Sequence, residues 1–406
     1  MTLQTFTALE YLKIDIASNF GLDKETWDFR LNWFDDHEAE LDDIIKDADE
    51  PALFYAGTQA YYKALRGEAS GYPISLDATA SGAQLLSVMV GCEKSARLCN
   101  VIDTGDREDL YTNIFKAITA KLTNAFAVDR TQAKQACMTW LYGSMAEPKK
   151  IFGEGEDLGI FLETMHTEAP GISQLNEALL GLWQPKAISN EWTLPDNFHV
   201  KVKVMSEVKH NAVFLNRKYV SVTQENLPNE FGLSLPANTT HSVDGMVVRE
   251  MVRRCDYDPK QTELALGYCL TASSHCNEKQ NTTGNTEMAK TLIQHYRETN
   301  FMSARLIDHI DKETIQLLDA AERLVLGNLI LSMPDKPFKV LTIHDCFRVL
   351  PNCGNDLRWQ YNNILSNIAG SSILSSIASQ ICGETVNVAK FGEIADQVLE
   401  ANYALS

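Results

Sequence analysis

The stretch RTQAKQACMTWLYGS, Arg130 to Ser144, decides how the chain is read. Arg130, Lys134, Met138 and Tyr142 recur every four residues, so on a helix they form one slowly rotating stripe about 18 Å long at ~1.5 Å per residue. Asp129 stands where an N-cap belongs and Gly143 where a helix stops, which predicts a helix from Arg130 to about Tyr142. Two cations lie toward the N-terminal end, where the helix dipole is also positive, a combination suited to a polyphosphate. Met138 and Tyr142 add a flat, mostly apolar surface suited to a sugar and base. Taken alone, either cation reads more simply as part of a solvated helix face.

Upstream, SLDATASGAQ places Asp77 at the exit of a short strand beginning at Ile74; downstream, VLTIHDCF places Asp345 in a tight turn between a buried-strand run, Phe338 to Ile343, and a second strand, Phe347 to Leu350. Each is an ordinary turn aspartate when considered singly. Two carboxylates at buried strand ends are expensive unless a cation neutralises them. Two Mg²⁺ ions between such groups would activate a 3′-hydroxyl and stabilise a leaving pyrophosphate.

In this order the three segments resemble motifs A, B and C of the single-subunit phage and mitochondrial RNA polymerases. ANTTHSVDG, Ala237 to Gly245, resembles the family's HSxDG segment, and SNFGLDKETWDFR, Ser18 to Arg30, resembles its stretch before motif A. The resemblance implies a right-hand polymerase fold, α+β and mostly helical, with a small antiparallel palm sheet. It implies template-directed transfer of NTPs by a DNA-directed RNA polymerase with two Mg²⁺ ions. Asp77, Asp345 and the carbonyl of Ala78 become metal ligands, and Lys24, Arg130 and Lys134 triphosphate contacts. Met138 faces the nucleotide, Tyr142 and His241 read the sugar, Asp244 supports the HSxDG loop, and His344 orients the turn or approaches the primer end. Gly82 stands where family A DNA polymerases carry a Glu that blocks a ribose 2′-hydroxyl. Gly82, Met138 and His241 favour ribonucleotides, and Cys346, which stands where those enzymes carry a glutamate after the motif C aspartate, disfavours a DNA polymerase. A DNA polymerase fragment and a non-catalytic assembly subunit are the alternatives.

The resemblance also divides the chain: an N-terminal helical part over 1–70, palm with motif A over 71–126, and fingers over 127–255. An insertion over 256–331 and palm with motif C over 332–406 complete it. Family members are about twice as long, and the DxxGR-like signature of their earlier nucleic-acid-binding region does not occur. The pattern is similar to the larger, catalytic subunit of the two-subunit N-four-type phage polymerases. The expected partners are therefore DNA template, RNA product, NTPs, a second and smaller polymerase subunit, and a single-stranded-DNA-binding or promoter-opening helper. The expected setting is the cytoplasm of an infected bacterium.

Composition sets the bounds on all of this. The chain has 406 residues, 45% hydrophobic and 22% charged, enough for a substantial core. Mean hydropathy is −0.19, and no long uncharged apolar run or basic-then-apolar N-terminus occurs, which argues against membrane spans and a secretory signal. Nine scattered cysteines without a C-x-x-C pair argue against a disulfide scaffold or zinc ribbon. The net charge of −18 is unusual for a nucleic-acid binder. It is uneven, however: DDHEAELDDIIKDADE, Asp35 to Glu50, is acidic, whereas Lys201, Lys203, Lys209, Arg217 and Lys218, and separately Arg249, Arg253 and Arg254, form basic regions.

The remaining pattern predicts helix to about Lys63, again from Gly82 to about Phe126, from Leu158 to about Trp183, and from Asp244 to Arg254. Alternation predicts strands over Phe198–Val208 and Val213–Val222 with a Lys-His-Asn turn between them. SSHCNEKQNTTGNTE, Ser273 to Glu287, has loop composition.

Overall fold

The structure, a computed structural model, describes residues 3–122, 128–230, 232, 234–271 and 284–406. It is mostly helical, with three small antiparallel sheets. The strands are β1 (Ile74–Asp77), β2 (Ser189–Thr193), β3 (His199–Lys203), β4 (Ser206–Phe214), β5 (Arg217–Glu225), β6 (Leu341–Ile343) and β7 (Cys346–Val349). The sheet that matters most has the order β1-β7-β6, with Ile74 opposite Val349 and Asp77 opposite Cys346. The chain's last residues extend it at the free edge of β1. Ala78 bridges Leu405, the N–H of Ser406 donates to the carbonyl of Asp77, and the N–H of Asp77 donates back to Ser406.

That closure depends on packing between the two ends of the described chain. Trp27, fully buried, stacks on Tyr403 at 5.4 Å, and its indole N–H donates to the carbonyl of Asn402. Arg358 is almost wholly buried, over the rings of Trp27 and Phe6. It satisfies its donors on the carbonyls of Gln4 and Asn402, so a buried guanidinium is tolerated. Beneath β1, Asp15 accepts from the N–H of Ser75, the hydroxyl of Tyr72 and the amide of Asn19, which pins the strand to helix Ala8–Ala17.

Several expectations change. The Gly82–Phe126 stretch is three helices, Ser81–Val90, Glu93–Leu98 and Leu110–Thr119, broken first at Gly91, whose φ of +65° suits glycine; Phe126 lies outside the described residues. Leu158–Trp183 is two helices, Glu156–Glu168 and Pro170–Gly181, because Pro170 cannot continue the first. The Lys-His-Asn segment sits inside β4, and the turn is Leu215–Asn216, with φ of 48° and 57°. Both faces of that hairpin are solvated, so its polar run misled a reading based on alternation. The HSxDG segment is helical rather than a loop: the helix starts at Leu235, with Pro236 in its first turn, and runs to Cys255. The Phe338–Ile343 run gives only β6, and its side chains are exposed. Residues 284–287 open the helix Gly284–Thr299; the rest of the expected loop lies outside the described residues.

A second, smaller core gathers Ala265, Leu292, Ile293, Leu306, Ile315, Leu326 and their neighbours. Hydrogen bonds to Glu250 join it to helix Leu235–Cys255, and ion pairs fasten the same helix to the turn between β2 and β3. Arg249 and Arg253 meet the buried Asp196 at 2.6 and 2.9 Å, and Glu250 accepts from Ser303 and from the N–H of Ala304. Arg254 is fully buried against Glu250. Arg249, Arg253 and Arg254 are therefore internal clamps, not the free basic patch their spacing suggested.

Candidate active site

The register of β1 against β7 decides the site. With Asp77 opposite Cys346, the preceding residue Asp345 falls at the mouth of the same strand pair, and the N–H of Ala78 donates to the carbonyl of Asp345 at 3.2 Å. Ile343 pairs with Cys346, so His344 and Asp345 are a two-residue hairpin turn. His344 takes a φ of +56°, the positive value such tight turns demand. Burial, then the Asp345 carboxylate, then Asp23, push the Asp77 carboxyl up to about 6; the N–H of Ala78 and the Arg107 guanidinium pull against that. Asp244 is likewise pushed up to about 6 by burial and by Asp345, with His344 opposing. The Asp345 carboxylate thus disfavours the charged forms of both Asp77 and Asp244.

Beside this pair opens a cleft of about 220 Å³. Asp77, Ala78, Thr79 and Ala80 form its floor, with Lys24, Arg107, Arg130, Lys134, Tyr111 and Ser406 around it. Helix Arg130–Leu141 enters from one side. Asp129 caps it through the N–H of Gln132, whose side chain accepts from the N–H of Asp129, and Tyr142 is its C-cap. Arg130 is anchored by Asp109 and, at 2.7 Å, by the hydroxyl of Thr112; the Lys134 ammonium lies 5.3 Å above the ring of Tyr111. Lys24 is exposed at the rim, in the turn before helix Trp27–His37.

A second group lies at the other end of that helix. Tyr142 stacks on His241, ring centroids 5.0 Å apart and planes 19° apart. The Tyr142 hydroxyl stands over Gly82, where an added Cβ would be 2.5 Å from it. Met138 is 42% exposed on the same helix, free to meet a ligand.

The sequence missed Asp23, Arg107 and Ser406. Asp23 directly precedes Lys24 in the Ser18–Arg30 stretch, whereas Arg107 and Ser406 sit in no recognisable motif; the acidic N-cap Asp109, two residues after Arg107, was the available signal for a helix starting at the cleft wall. A network also escaped notice. The buried Tyr361 hydroxyl donates to Gln84, whose amide donates to Thr79, Cys99 and Ala404, and Asn100 donates to Thr79 and holds the backbone of Glu108. It ties the cleft floor to its wall.

The donor set suits divalent metal. Among the described residues no group of three or more His, Cys, Asp or Glu could hold an ion by itself. A pair of carboxylates is what Mg²⁺ ordinarily takes from a protein when phosphate oxygens and water complete its shell. Carboxylates beside a cation-lined cleft are equipped to hold a phosphate chain through metal.

By chemistry, then, the arrangement has the donor types that a site moving phosphoryl groups with hard divalent ions would use. The comparisons narrow the class: residues 4–148 match the family model of the DNA-dependent RNA polymerase. A probable DNA-directed RNA polymerase of Neurospora crassa is 31% identical over 157 residues, 34% of this chain and 18% of that one. A DNA-directed RNA polymerase of Pseudomonas phage phiKMV is 25% identical over 171 residues, 34% of this chain and 21% of that one. The chain spans about a fifth of the length of the curated relatives it matches. These relatives, one fungal and one from a phage, are thus distant. The family model takes in Asp77, Gly82 and helix Arg130–Leu141; His241, Asp244 and Asp345 lie beyond it and join the site through the fold alone.

Proposed function

We propose that this chain is the catalytic part of a DNA-directed RNA polymerase, extending RNA on a DNA template from NTPs. The observation that carries the reading is the β1–β7 register. It sets Asp345, beyond the family match, against Asp77, within it, at the mouth of a cleft walled by Lys24, Arg130 and Lys134. In this reading residues 71–126 and 332–406 form the palm, 127–255 the fingers, 256–331 an insertion with its own core, and 1–70 a helical support.

Asp77 and Asp345, with the carbonyl of Ala78, would hold two Mg²⁺ ions, which supply charge to the 3′-oxygen and the phosphates. The 3′-oxygen of the RNA forms a bond to the α-phosphorus, the α–β bridging P–O bond breaks, pyrophosphate leaves, and the hydroxyl proton passes to water. Lys134 and Lys24 neutralise the phosphate chain, and Arg130, braced by Asp109, holds the helix end against it. Catalysis of this kind is mostly positioning and charge stabilisation. The Tyr142–His241 stack and the open space at Gly82 present a surface to the ribose. A glutamate at 82 would collide with Tyr142, which disfavours the DNA polymerase reading.

A net charge of −18 is poor equipment for holding nucleic acid alone, since phosphate contacts supply most non-specific affinity. We therefore place a second, smaller subunit beside this one, and a helper that opens DNA or binds single strands. The test is extension of an RNA primer on a preformed RNA–DNA scaffold with Mg²⁺, with NTPs against dNTPs, by the chain alone and with extract of phage-infected cells. Template-dependent NTP incorporation supports the reading. A dNTP preference would support the DNA polymerase alternative, and no incorporation with or without extract would contradict a catalytic role.

A further inference from the structure

We infer that Arg107, in the irregular segment between helices Glu93–Leu98 and Leu110–Thr119, is a phosphate-binding residue that grips the β- and γ-phosphates and the departing pyrophosphate. The inference rests on the polymerase reading above and adds a residue outside every motif that led to it.

Four cations line the cleft, and their circumstances differ. Arg130 has its guanidinium held by Asp109 and Thr112, so much of its charge is already answered. Lys134 rests over the Tyr111 ring and Lys24 is solvated at the rim. Arg107 is mostly buried, yet among the described residues it makes no ion pair. Its one side-chain hydrogen bond among them runs from Nε to the hydroxyl of Ser406 at 3.3 Å. Among the described residues neither Nη group makes a hydrogen bond, and Arg107 lines the cleft. Burial holds its proton affinity below the ordinary guanidinium value, with Asp23, Asp109 and Glu25 acting from a distance to restore it.

A partly desolvated guanidinium without a carboxylate in contact is unfavourable until an anion arrives. The planar fork then offers parallel donors that match phosphate oxygens, and such charge-assisted pairs are among the stronger hydrogen bonds. The surroundings keep the fork in place. Asn100 holds Glu108 through both backbone groups at 2.8 Å, and Asp109 caps the next helix. Ser406, which Arg107 contacts, pairs its backbone with Asp77, so Arg107 stands on the carboxylate side of the cleft. At about 220 Å³ the space suits a phosphate chain better than a whole nucleotide, for which pockets usually exceed ~300 Å³. Negative charge grows on the leaving group as the P–O bond breaks, and a fixed cation there stabilises the transition state more than the ground state.

The test compares wild type, Arg107→Gln, Arg107→Lys and, as a surface control, Arg97→Gln. Four quantities are measured on the full chain in its active form: KM and kcat for NTPs in scaffold extension, KM for pyrophosphate in the reverse reaction, and binding of Mg²⁺–pyrophosphate by calorimetry. The inference predicts that Arg107→Gln raises both KM values and weakens pyrophosphate binding by about tenfold or more, the scale of one charge-assisted hydrogen bond. Arg107→Lys should recover part of the loss, with circular-dichroism melting like wild type, and Arg97→Gln should change nothing. Wild-type pyrophosphate affinity and KM in Arg107→Gln would overturn it. So would a loss of kcat and melting temperature with pyrophosphate affinity intact, the mark of a merely structural residue. A wild-type chain that neither extends RNA nor binds pyrophosphate would instead sink the polymerase reading, and the inference with it.

Discussion

The hydroxyl of Tyr142 occupies the space that a side chain at residue 82 would need: a Cβ built on Gly82 lies 2.5 Å from that oxygen and 3.0 Å from the ring carbon bearing it. Helix Ser81–Val90 and the end of helix Arg130–Leu141 are therefore fitted to one another through an absent side chain.

Gly82→Ala should push Tyr142 off its place and away from His241. We expect at least a tenfold fall in kcat/KM for NTPs, since removing well-placed contacts commonly costs about 1–3 kcal/mol. Tyr142→Phe deletes the colliding oxygen, so the double variant Gly82→Ala/Tyr142→Phe should lose less than the two single effects added. Steady-state kinetics on all four proteins, with NTPs and dNTPs, measures that coupling.

Asp15 predicts a pH effect on stability away from the chemistry. Burial raises its carboxyl to about 6, against an unfolded value of 3.8, despite hydrogen bonds from Ser75, Tyr72 and Asn19. Between those values the folded chain holds a proton the unfolded chain has lost, so folding is favoured. That contribution is full below about pH 4 and disappears as pH rises through 6. Asp15→Asn keeps an acceptor for the Ser75 N–H without the charge. Urea titrations at intervals from pH 4 to pH 7 should show the variant losing less stability with rising pH than wild type.

The clamp at Asp196 gives a larger effect. Asp196 is fully buried and answers both Arg249 and Arg253, while the carbonyl of the same residue accepts from Arg305 at 2.8 Å. Asp196→Asn leaves two guanidinium groups short of a counter-charge and should cost about 3 kcal/mol by denaturant unfolding, the usual scale for breaking a buried pair. A further Arg249→Gln change should recover part of that loss. An Asp196→Asn chain as stable as wild type would mean the clamp contributes no net stability.

Much of this was legible in the sequence where local chemistry is strong. The Asp129 cap, the strand at Ile74 and the turn at His344–Asp345 each follow from residues in contact or nearly so. What was not legible depends on pairing across the chain. Arg249 and Arg253 read as part of a basic patch because Asp196, more than 50 residues earlier in the sequence, gave no sign of answering them; Arg254 is answered by Glu250, one turn before it. The HSxDG stretch read as a loop because Ser, Asp and Gly favour turns, yet Val243, Met246, Val247 and Met251 bury a helical face that outweighs those preferences. Arg107 and Ser406 reach the cleft through irregular backbone and a final strand-like pairing with Asp77, which no periodicity announces.

The pairing of Asp77 with Asp345 is the centre of the account, and it can be tested directly. Primer extension with NTPs on an RNA–DNA scaffold would be followed against Mg²⁺ concentration for wild type, Asp77→Asn and Asp345→Asn, each first checked for native melting. The account predicts Mg²⁺-dependent extension by wild type and a loss of about a thousandfold or more in both variants, the scale seen when catalytic charge stabilisation is removed. Wild-type rates in either variant would contradict it.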